Sequence, residues 1–89
     1  MKQVILEAAM LTDMDAVHDA FTGALNLTEA YGRNLDALYD CLTAMGEPVE
    51  VVVPCRDLLA EMLGKRGEML LRMLQDAARE NAQITLKTE

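Results

Sequence analysis

The spacing of apolar residues changes several times along the chain, and each change marks an element. QVIL at residues 3–6 is a short, β-rich apolar run and predicts a strand. Residues 7–11 read as a connection. From Met14 the spacing becomes helical: Met14, Val17, Phe21, Ala24 and Leu25 share a face, which predicts a helix over about residues 13–25. Thr12, followed three residues later by Asp15, has the form of a capping box. NLTEAYGR, residues 26–33, breaks the pattern and reads as a loop. Leu35, Leu38, Leu42 and Met45 then recur behind Asn34, a favourable N-cap, so a second helix is predicted over about 34–44. Gly46 and Pro48 are read as its stop.

VEVVVP at 49–54 is the strongest strand signal. Its three consecutive valines suggest burial on both faces, as in a parallel sheet. Arg56–Leu63 reads as a short helix closed by Gly64. Lys65–Asn81 reads as a longer one with Leu70, Met73, Leu74 and Ala77 turned inward. Met62, Met69 and Met73 fall at helical spacing and are expected in the core. QITLKT, 83–88, is the last strand. Strands separated by helices pair in parallel through right-handed crossovers. The expected fold is therefore a small α/β domain over residues 1–89, with a three-stranded parallel sheet packed with about four helices.

Composition narrows the function. With 89 residues the core is limited and stability should be modest. A hydrophobic fraction of 52% nevertheless favours a folded globule over an acidic disordered chain. A net charge of −7 disfavours direct binding of nucleic acid and favours basic partners. Cys41 and Cys55 form no CxxC pattern. With His18 as the single histidine there is no zinc set, so both cysteines are read as reduced thiols of a cytoplasmic protein. No leader peptide or membrane span is expected. The sequence has no serine, so it offers neither a serine nucleophile nor the attachment point of an acyl carrier. GKRGE at 64–68 lacks the preceding strand and the spacing of a phosphate loop. His18 reads as structural and Cys41 as a small core thiol.

Asp36 and Asp40 change the picture. They fall one turn apart on the polar side of the second helix with nothing basic between them. Such a pair costs a helix about 0.2–0.5 kcal/mol. Asp36 is in the first turn, where the helix dipole favours a carboxylate. Asp40 is mid-helix, and Asp is a mediocre helix former. Either the pair lies on a solvated face, or it meets an external cation. A charge-assisted hydrogen bond returns roughly 1.5–3 kcal/mol, which outweighs the repulsion.

YGRNLDALYDCLT, residues 31–43, resembles the central helix motif of the barstar family, intracellular inhibitors of barnase-type ribonucleases. Length, element order and the final ITL strand at 84–86 are similar as well. The resemblance implies a helix and preceding loop that plug a ribonuclease active site. Asp40 would then take the place of a substrate phosphate, and Asp36 would meet a cation at the edge of the cleft. Tyr39 stands where the family has a tryptophan. Tyr31, Asn34 and Thr43 match contact positions, and Asp76 and Glu80 match acidic positions on the last long helix. Ala44 and Met45 stand where the family pattern has a glycine and a second tryptophan. Ala30 stands in place of an outer tyrosine, Arg33 in place of an acid, and Ala82 in place of a second cysteine. Asp76 also lies four residues after Arg72, so a local ion pair competes with a partner role.

The implied function is that of a ribonuclease inhibitor or immunity protein (an antitoxin). It would bind a basic ribonuclease or ribonuclease-like toxin one to one by occlusion. It would do no chemistry and use no cofactor or metal, contact no nucleic acid or membrane directly, and be a monomer when free. The alternative is an interaction module of the same fold with a non-ribonuclease partner. An enzyme is the weakest reading.

Overall fold

A computed structural model describes residues 1–28 and 31–89. Strand β1, Lys2–Ile5, is followed by a 3₁₀ turn at Ala8–Met10 within the expected connection. Helix α1 is Met14–Leu25, α2 is Leu35–Thr43, and strand β2 is Val49–Val53. Helices α3, Arg56–Leu63, and α4, Lys65–Glu80, lead to strand β3, Ile84–Thr88. The expected order of elements is the observed one.

Local chemistry accounts for most boundaries. The cap of α1 is Asp13, whose carboxylate accepts from the Ala16 backbone N–H at 2.9 Å; it replaces the Thr12 box that the sequence suggested. Asn34 caps α2 as expected, accepting from the Ala37 N–H at 2.7 Å. Gly64 joins α3 to α4 at φ +67° and ψ −142°, a conformation essentially reserved for glycine.

The sheet is wholly parallel, in the order β1-β2-β3, with Val4, Val51 and Leu86 in register. Both crossovers carry the chain the same way across the sheet, so right-handed connections set the helices on one face. Burial alternates along β2 in agreement with this. Val49, Val51 and Val53 are buried, while Glu50 and Val52 lie on a partly open face. The expectation of burial on both faces is thus corrected, and Glu50 was the signal against it. On the open face Gln3 Nε2 donates to Glu50 Oε1 at 2.7 Å, and Lys87 Nζ pairs with Glu50 Oε2 at 3.1 Å. This polar ladder crosses all three strands, and its hydrogen bonds hold the Glu50 carboxyl below its ordinary range.

On the covered face α4 is central, packing against α2, α3 and β3, while α1 packs on β1. Phe21, Leu38, Leu42, Leu59, Leu70 and Leu74 fill the core. Met73 joins it, but Met62 and Met69 are exposed. The helix break at Gly64 resets the phase between Met62 and the two α4 methionines, whereas Met69, on the same helix as Met73, lies at the open edge of the α4 face. Among the described residues, no helix is long and apolar enough to cross a membrane.

Candidate functional site

Helix α2 turns Leu38 and Leu42 into the core and seats Leu35, Tyr39 and Met45 half-buried against it. Asp36, Asp40 and Ala44, at i, i+4 and i+8, form the exposed stripe. Among the described residues neither carboxylate has a hydrogen bond or an ion pair. The Thr43 hydroxyl donates to the Tyr39 carbonyl at 2.9 Å, with the Asp40 carbonyl at 3.3 Å, so its proton is committed to the helix.

The segment leading into α2 is fastened to α1 by two side chains. The Tyr31 hydroxyl shares a hydrogen bond with Nδ1 of His18, and the two rings meet edge to face at 5.6 Å. His18 is buried, which lowers its pKa, and the nearby Arg33 charge lowers it further. Burial pushes the Tyr31 phenol up to about 12, so it stays protonated near neutrality. Arg33 adopts a left-handed backbone, φ +53°, and donates to Asp19 Oδ1 at 2.9 Å and to the Asp15 carbonyl at 3.2 Å. This latch was not read from the sequence, because arginine carries no left-handed signal and its acidic partners lie 14 and 18 residues earlier. Ala30, a position singled out in the sequence, lies outside the described residues.

Helix α4 packs on α2 and carries Asp76 and Glu80 in its last turns. Asp76 is half-buried and pairs with Arg79 at 3.5 Å, not with Arg72. Glu80 is exposed, with no ion pair among the described residues. Asn81, which the sequence reading placed at the end of the helix without a role, reaches across to α2. Its Nδ2 donates to the carbonyls of Leu42 at 2.9 Å and Met45 at 3.0 Å, with Thr43 at 3.3 Å. Cys41, beside Asp40, is half-buried; burial and then the Asp40 charge raise its thiol pKa. Both cysteines are free thiols.

A cleft of about 460 Å³ opens at the first turns of α1, α2 and α4, lined by Asp15, His18, Arg33, Asn34, Asp36, Arg66 and two methionines. Asp40, Tyr39 and Thr43 lie outside it. The cleft therefore reaches the acidic stripe at Asp36 but not at Asp40. Among the described residues, no three His, Cys, Asp or Glu side chains are grouped to hold a metal.

The chain matches the family model described as Barstar (barnase inhibitor) over residues 1–88. It is also 31% identical over 81 residues to the Bacillus subtilis (strain 168) protein named "Putative ribonuclease inhibitor YrdF", covering 90% of this chain and 89% of that one.

Proposed function

The chain belongs to the barstar family, and on that premise we propose that it inhibits a basic ribonuclease, or a toxin of related fold, by seating the Asp36–Asp40 face of α2 in the enzyme's phosphate-binding cleft. The observation that carries this reading is the pair of exposed carboxylates, without internal partners among the described residues, on a helix anchored at both ends. Each can accept charge-assisted hydrogen bonds worth about 1.5–3 kcal/mol from the arginine, lysine or histidine groups that hold RNA. Tyr39 supplies an aromatic surface beside them. Tyr31, Asn34, Thr43, Ala44 and Met45 extend the contact along the helix and its approach, and Asp76 and Glu80 extend it onto α4.

Inhibition is steric. The acidic helix replaces the substrate backbone, and no bond is made or broken by this chain. The net charge of −7 steers a basic enzyme toward it, an effect for which barnase and its inhibitor are themselves the familiar example. The complex is one to one, the free protein is a monomer, and it protects the cytoplasm of the cell that makes the nuclease.

The test is titration into a barnase-type ribonuclease assay, alongside Asp40→Ala. Stoichiometric inhibition by the native chain, lost in a variant with unchanged circular dichroism, supports the reading. Absence of inhibition by the native chain sends the acidic face to a different, non-ribonuclease basic partner. Equal inhibition by both proteins removes Asp40 as the phosphate mimic.

A further inference from the structure

The C-terminal end of α2 is closed in an unusual way. A helix leaves its last carbonyls without intrahelical donors, and a left-handed glycine just beyond the end often supplies them. Here Ala44 at the C-cap is right-handed, at φ −91° and ψ −4°, and Gly46 does not adopt positive φ. Besides the local Met45 N–H, which donates to the Leu42 carbonyl at 3.2 Å, the donors at this end come from Asn81, 36 to 39 residues away.

One carboxamide has two N–H donors. Those of Asn81 face three carbonyls, of Leu42, Thr43 and Met45. Its Oδ1 accepts from the Gln83 backbone N–H at 3.0 Å. Its backbone N–H donates to Ala77 at 2.9 Å, closing α4, and its backbone carbonyl accepts from Ile84 at 3.0 Å, opening β3. One half-buried residue thus ties together the ends of α2 and α4 and the start of β3. Asp40 and Thr43 lie within the last turn of α2, and Asp76 and Glu80 lie within the last turns of α4.

We infer that Asn81 is the positioning residue of the partner-binding face: its carboxamide fixes the end of α2 against α4 and so sets the spacing of the two acidic arms. The inference rests on the proposed inhibitory reading for its functional half. Encounter with a basic partner depends on overall charge, which Asn81→Ala leaves unchanged. The lifetime of the docked complex depends on how well the arms are placed. The variant should therefore act on dissociation.

The experiment uses the full chain, Asn81→Ala, and Asn81→Asp, which keeps the size and the acceptor but loses the donor. Amide hydrogen exchange is followed by NMR, and binding kinetics are measured against barnase as the probe. The amides of Ala44 and Met45 should exchange about tenfold faster in both variants while those of β2 keep their rates. Dissociation of the Asn81→Ala complex should quicken several-fold with association unchanged. Exchange at Ala44 and Met45 that is unaltered, or that rises only in step with β2, overturns the positioning role. So does unchanged dissociation. If the native chain does not bind barnase, the inhibitory reading fails for that enzyme, and the exchange pattern alone decides for or against the clamp.

Discussion

Asp40 is a residue whose removal should help the fold and harm the function. It has no internal partner among the described residues, and it faces Asp36 one turn away. Asp40→Ala should leave stability unchanged or raise it by about 0.2–0.5 kcal/mol in urea unfolding, through relief of like-charge repulsion and better helix propensity. Nuclease inhibition should fall by orders of magnitude in the same preparation. His18 makes the opposite kind of prediction, one of stability alone. Burial holds its folded pKa below the ordinary 6.5. Above that pH neither state carries the proton. As pH falls below it, the unfolded chain takes up a proton that the folded one resists, so stability declines until the folded pKa is reached. The urea midpoint should therefore drop between about pH 7 and the folded value, and His18→Gln should remove that component. Of these residues, Asp36 and Asp40 were legible because charge and spacing are printed in the chain. The contact between His18 and Tyr31 was not, because it joins a helix to a loop 13 residues later.

At the scale of elements, two glycines separate local from tertiary control. Gly23 lies exposed within α1, and a Cβ there meets nothing within 4 Å. Gly23→Ala should stabilise the protein by about 0.5–1 kcal/mol, the ordinary helix preference. Gly67 lies buried in the first turns of α4, where an added Cβ would sit 2.9 Å from the Leu63 Cβ and 3.1 Å from the Leu59 carbonyl oxygen. Gly67→Ala should cost about 1–3 kcal/mol by forcing α3 from α4, although its helix propensity is better. Thermal melts of the two variants should shift in opposite directions. The sequence gives both glycines the same local weight. The helix α2 shows a similar division. Its start is set by Asn34, one residue before it, as the sequence predicts. At its end Gly46 does not take the left-handed turn of a glycine cap, and Asn81 supplies donors to the Leu42 and Met45 carbonyls.

The whole molecule combines a one-sided sheet with a strong negative field. Helix α2 is braced by α4, and α4 by β3. Charge acts at longer range. The screening length shrinks from about 30 Å at 0.01 M salt to about 8 Å at 0.15 M. Association with a basic nuclease should slow by about an order of magnitude or more over that interval, while dissociation changes little, and stopped-flow mixing separates the two. A rate of association that is indifferent to salt would argue against steering by the acidic face.

By itself the sequence determined the number and order of the α-helices and strands, the cap that starts α2, and the place of the acidic pair. These follow from periodicity and from interactions within three or four residues, which the chain carries along its own length. Tertiary structure alone decided which side of β2 is wet, which methionines are covered, where Arg33 is latched, and which distant donor reaches the end of α2. Each of those depends on residues brought together from separate elements, where a side chain's surroundings are set by packing geometry that no local spacing encodes.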